Sequence, residues 1–294
     1  MILACMIALT LGTSVQEPAA PSREAWAPAD TSNISNLYSE AGWLAEDGKY
    51  DEATRLYVWL WNNIREYAPS MTGVRGSLMA NEMAELAEAH PPARAAFDNL
   101  RDDARERMTG EYAVDRQSFG DWVTLNKLLG NEDETLRWFD ENRDDPRMTL
   151  AWAGGRYEIE QMLIERGRFA DIAVMYPFPL TTVGFESRSL RYSIERFPDH
   201  PEFDKWPRST FYADRVSHCY AALLAAGRDD EAEQVIAVTL VFEELPDVRE
   251  AMIAKALGLG AARPVHREIL AELEQNGEDV AQLRRRLEAA LDGE

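Results

Sequence analysis

Histidine occurs four times in this 294-residue chain, at His90, His200, His218 and His266, and no two are spaced as HxxxH or HExxH. A helix offers two metal ligands on one face only at about that spacing, so no histidine metal site is expected. His218 adjoins Cys219, but successive residues on a helix point about 100° apart and do not readily share a proton. Cys219 falls on the apolar face of its expected helix and reads as a buried structural thiol. Cys5 is the other cysteine. Two thiols, one of them in an N-terminal apolar run, build neither a disulfide framework nor a cysteine-rich metal centre.

The carboxylates are plentiful but patterned. Asp51-Glu52, Glu132-Asp133-Glu134 and Asp229-Asp230-Glu231 each follow a turn and open a helical pattern, where the helix dipole favours negative charge. The stretch from Asp140 has Asp, Asn and Asp at alternate positions, but Ala151 stands where a calcium loop needs its bidentate glutamate. Arg284-Arg285-Arg286 is the only basic run, and it reads as the solvated face of a terminal helix. There is no glycine-rich phosphate loop and no GxSxG elbow. The expectation is therefore no catalytic set, no metal and no cofactor.

The chain is 46% hydrophobic and 28% charged, enough apolar material for a sizeable core, with a formal net charge of −21 and a pI near 4.6. Such a chain repels phosphate backbones, which argues against a nucleic-acid partner. Its apolar residues keep helical time. Ala53, Leu56, Tyr57, Leu60, Trp61 and Ile64 share one face at 3.6 residues per turn. Turns at Gly48, Gly130, Gly167 and Gly227 each separate two such patterns. Residues 77–108 supply a further hairpin without a turn glycine. Three more helices are expected over Val248 to Leu257, Pro264 to Glu274 and Asp279 to Leu291, the last with Leu283, Leu287 and Leu291 on one stripe. No stretch alternates as a strand does.

Several of these residues match a known pattern. Ala41, Gly48, Tyr50, Ala53 and Tyr57 in the first hairpin, and Gly227, Ala232 and Pro246 in the fourth, resemble the tetratricopeptide repeat. That family has a small residue in mid helix A, glycine and an aromatic at the turn, alanine early in helix B and proline near its end. The match is degenerate: Glu160 and Tyr220 stand where the small residue belongs, and Thr135 and Ile172 where the helix B alanine does. Only the step from Gly130 to Gly167 is close to the family's repeat of about 34 residues. The resemblance implies an all-α, right-handed solenoid of antiparallel hairpins over residues 34–294. It also implies a concave groove lined by helix A side chains: Tyr38 and Gly42, Thr124 and Lys127, and Tyr157 and Gln161. Of the Lys, Asn and Arg clamp used by the family's chaperone-tail binders, only Lys127 is present.

One segment breaks the repeat. Residues 186–212 interleave aromatics such as Tyr192 and Trp206 with Arg188, Arg191, Arg196 and Arg208, the residue types that anchor interfaces. The same composition would also let the segment pack on its own solenoid by cation–π stacking. Residues 15–33 are rich in Pro and Ala and read as a linker. Before them, Ile2 to Leu11 is uncharged and apolar, the length of a signal-peptide core and too short to span a bilayer. The expectation is a leader over residues 1–14, no membrane span in the mature chain, and a periplasmic or secreted protein. Retention of the run would make it cytoplasmic.

The leading expectation is a non-enzymatic scaffold that binds a protein or peptide, in the groove or against the insertion. Its candidate binding residues are Tyr38, Lys127, Tyr157, Gln161, Arg191 and Trp206. A competing reading is a helical ligand-binding domain or enzyme whose pocket lies at the insertion, with Arg156, Arg188 or Arg208 meeting an anionic group. A third is a structural subunit of an envelope assembly.

Overall fold

A computed structural model describes residues 26–110, 112–196, 209–239 and 246–293, and helices are the only regular elements among them. They are α1 (Ile34–Glu46), α2 (Tyr50–Tyr67), α3 (Thr72–Gly76), α4 (Leu78–Ala89), α5 (Pro91–Met108), α6 (Arg116–Leu128) and α7 (Glu132–Asn142). After these come α8 (Trp152–Glu165), α9 (Pro179–Arg196), α10 (Ser209–Ala225), α11 (Asp229–Thr239), α12 (Pro246–Gly258), α13 (Val265–Gln275) and α14 (Ala281–Asp292). The protein is all-α. The expected leader over residues 1–14 lies outside the described residues. No helix among those described is long and apolar enough to cross a membrane.

Local chemistry sets the helix ends. The Asp115 carboxylate caps α6 by accepting the Ser118 N–H at 2.7 Å, and α5 begins on two prolines, whose missing N–H groups lie in the unpaired first turn. The four turn glycines share one geometry: each has φ between 66° and 73°, a left-handed conformation that costs a residue with a Cβ. The next N–H bonds the carbonyl five residues back, as Lys49 to Leu44, Asn131 to Asn126, Arg168 to Leu163 and Arg228 to Leu223. These are Schellman caps.

The third hairpin departs from expectation. After Gly167 the chain forms a 3-10 segment, Phe169–Met175, instead of an α-helix. Pro177 follows at once, and a residue before proline is pushed out of the helical region; Tyr176 has φ −119° and ψ 61°.

Packing follows chain order. α1 lies on α2, α4 on α5, α5 on α6, and α6 on both α7 and α8. The 3-10 segment joins α8 to α10, and α10 packs on α9, α11 and α12. One continuous apolar core runs from Ile34 to Ala261, with a smaller one where α12, α13 and α14 meet around Ile253, Leu270 and Leu287. The expected leucine stripe of α14 buries Leu287 there, with Leu283 and Leu291 beside it.

Three of the four positions where the repeat pattern is degenerate are paired by buried hydrogen bonds; the fourth, Ile172, is part of the apolar core. Glu160 accepts the Tyr176 hydroxyl at 2.6 Å, and burial raises the Glu160 carboxyl above the ordinary range. Asn126 donates to the Thr135 hydroxyl at 3.0 Å. Tyr220 meets His266 Nε2 at 2.7 Å, tying α10 to α13. Such partners satisfy the buried hydroxyls and the Glu160 carboxylate, while Asn126 Oδ1 is left without a partner among the described residues.

His266 is fully buried, and its Nδ1 accepts the Arg263 N–H at 3.1 Å. Burial first, then the Arg263 charge, depresses its pKa from 6.5 to about 4. Between those values the unfolded chain binds a proton that the folded chain refuses. This contribution is therefore whole above pH 6.5 and is lost as pH falls toward 4, by on the order of 3 kcal/mol. Urea melts from pH 7 to pH 4 should show wild type losing that much more stability than His266→Gln; parallel pH profiles would refute the assignment.

Candidate binding pocket

A buried ionic knot joins α2, α3 and α6. Arg75, on the short α3, is 3% exposed. Its Nε donates to the Trp61 carbonyl at 2.8 Å, and its guanidinium lies 3.7 Å from the centre of the Trp61 ring. Nη1 and Nη2 of Arg75 donate to the two Asp121 oxygens at 2.6 and 2.8 Å. Arg65 donates to the same oxygens at 2.8 and 2.9 Å. Two fork-shaped cations thus share one carboxylate, the bidentate arrangement that holds guanidinium most firmly. Burial pulls the Arg75 pKa down, and the bonds to Asp121 oppose it.

Beside the knot, α6 and α8 touch backbone to backbone. A Cβ on Gly154 would sit 2.1 Å from the Arg116 carbonyl oxygen, and one on Gly120 would sit 2.6 Å from that of Gly154. Behind this crossing Phe119, Trp122, Trp138 and Trp152 form a cluster with ring centres 5.1 to 6.3 Å apart. The two glycines let the helix backbones meet, and both border the space beside the crossing.

That space is a cavity of about 470 Å³, within the range of small-ligand sites. Arg65, Thr72 and Arg75 line one side, Arg116, Gln117, Gly120, Asp121 and Thr124 the second, and Gly154 and Glu158 the third. Asp121 is tied up by both arginines, and Asp115 by its capping bond. Arg116 is different: it is exposed and has no salt bridge or side-chain hydrogen bond among the described residues. Glu158 is half-buried and likewise forms no salt bridge among them. Burial raises its carboxyl; its own backbone N–H and the Lys127 charge pull the other way. The pocket therefore presents an unpaired cation and an unpaired carboxylate, together with the remaining N–H groups of Arg65.

The structure disperses the residues expected from the sequence. Thr124 lines the pocket, and Lys127 is exposed one turn further along α6, close enough to act on Glu158. Tyr157 is 62% exposed on α8, beside Glu158 in sequence, and Gln161 is half-buried one turn beyond it. Tyr38 lies elsewhere: its hydroxyl donates to Glu82 at 2.7 Å, and Tyr57 donates to the other Glu82 oxygen at 2.8 Å, which knits α1, α2 and α4. Arg156 sits 5.1 Å from the centre of the Tyr176 ring. Arg188 and Arg191 are exposed on α9, a helix that packs on α10 and α11. Residues 186–196 form the end of that helix and 209–212 the start of α10. The rest of the expected insertion, with Trp206 and Arg208, lies outside the described residues.

The pocket-lining residues that the sequence did not single out are Arg65, Arg75, Arg116, Asp121 and Glu158. Two signals pointed to their neighbourhood: an acidic residue among Phe119, Trp122 and Val123, and a Gly154-Gly155 pair inside a helical pattern, which marks close backbone approach. The thiol of Cys219 is fully buried and pushed up to about 12 by burial, far from a reactive thiolate. Lys255 donates to His218 Nε2 at 2.8 Å while Nδ1 lies 2.9 Å from the Asp214 carbonyl, a link between α10 and α12.

Comparison with protein-family models, curated proteins and solved structures finds no match to this chain.

Proposed function

We propose that the chain is a non-enzymatic binding protein, a right-handed solenoid of tetratricopeptide-like hairpins that holds a peptide across α6 and α8. One observation supports the reading: the pocket holds Arg116 and Glu158, neither in a salt bridge among the described residues, on α6 and α8, the two helices from which the hairpin resemblance draws groove side chains. A half-buried carboxylate without a partner is costly to maintain, and a ligand that pairs it removes that cost. The four equivalent turn caps and the chain-ordered packing support the solenoid. The apolar run over residues 2–11 supports a site of action in the periplasm or outside the cell.

Peptides selected from a random display library on the folded protein test this. Arg116→Ala should weaken the selected peptides by about 10- to 100-fold, the worth of a charged hydrogen bond, while leaving the melting temperature within a few degrees. Selected peptides that bind the variant as well as wild type would place the site elsewhere.

A further inference from the structure

We infer that the pocket between α6 and α8 takes a free dipeptide in its zwitterionic form, with the carboxylate on Arg116 and Arg65 and the ammonium on Glu158. This rests on the peptide-binding reading above and names the ligand class.

The argument begins from charge. An anion alone would meet Arg116 and Arg65 but be repelled by Glu158, and a cation alone would suffer the reverse. The two signs do not cancel each other within the protein, because neither Arg116 nor Glu158 has an ion-pair partner among the described residues. Arg65 uses one N–H of each terminal nitrogen on Asp121, and the others remain for a ligand. A ligand carrying both charges satisfies all three groups. An inter-residue ion pair that is absent by geometry is thereby completed through the bound molecule.

Spacing sets the length. The Arg116 side chain runs past Gly154, where its Cγ would lie 3.2 Å from an added Cβ. Glu158 is one turn further along α8, a rise of about 6 Å. Two extended residues span roughly 7 Å, a length of the same order as that backbone rise. A single amino acid, whose charges share one carbon, spans less. The cavity of about 470 Å³ exceeds the volume of two residue backbones, and the charged groups are placed for the ligand's termini, so the site reads the termini and not one particular sequence.

The test uses the full chain and three synthetic pools: free dipeptides of mixed sequence, the same pool N-acetylated, and the same pool C-amidated. Equilibrium dialysis with mass-spectrometric readout gives retention of each. Free dipeptides should be retained at least tenfold better than either capped pool. In Glu158→Gln the acetylated pool should match the free one, and in Arg116→Gln the amidated pool should match it. Equal retention of all three pools, or no retention of the free pool, overturns the inference. If library peptides still bind through Arg116 in that case, the dipeptide assignment alone falls; if they do not, the peptide-binding reading falls with it.

Discussion

Asp121→Asn is expected to cost about 3–5 kcal/mol, the largest loss from any single polar substitution in this chain. Asp121 is the one carboxylate bonded to the Arg75 guanidinium, which is 3% exposed and stacked on Trp61. Removing one partner of a buried pair leaves an uncompensated charge, and this governs the cost more than the lost attraction does. Arg65 has a quarter of its side chain exposed and swings outward, so it adds little. The same reasoning sets a control. Arg75→Met with Asp121→Leu removes both charges and keeps bulk against Trp61, so the double variant should recover more than half of the loss. Urea denaturation of the three proteins decides it. A double variant as unstable as Asp121→Asn would mean that packing, not charge, dominates the knot.

Gly154→Ala should lose about 3 kcal/mol, although alanine is intrinsically the better helix former by about 1 kcal/mol. The added methyl would lie 2.1 Å from the Arg116 carbonyl oxygen and 3.1 Å from its carbon. These are backbone atoms, so relief requires α6 and α8 to separate, and overpacking of that kind costs 1–3 kcal/mol or more. Separation also moves Arg116 away from Glu158, so peptide affinity should fall with stability. Gly184 supplies the contrast: it lies inside α9 with nothing within 4 Å of an added Cβ. Gly184→Ala should therefore gain up to about 1 kcal/mol. Thermal melts giving the two variants the same sign would refute the close crossing.

What was legible in the sequence is what is determined locally. The face of α2 from Ala53 to Ile64 is buried as its period demands, and the turn glycines mark four helix ends because a left-handed cap needs them. The last three helices lie within about two residues of their expected bounds. The Phe169–Met175 segment was missed because its apolar spacing suits either helix type, and Pro177 decides between them. The pocket was less legible still. Arg75 sits in a five-residue helix, too short for any period to show, and its partner Asp121 is 46 positions away. Arg116 and Glu158 border one cavity because two glycines let α6 and α8 touch. Composition pointed instead to residues 186–212 for their aromatics and arginines. Density of binding residue types marks a segment, whereas a site requires groups from several segments to face one space.

The most direct measurement is a backbone-amide chemical-shift titration of the isotopically labelled protein with the free dipeptide pool. Shifts confined to residues 115–124 and 153–158, with a smaller response at Arg65, are the expected result. Shifts centred on α9 or on the α10–α12 region, or no shifts at millimolar dipeptide, would contradict binding in this pocket.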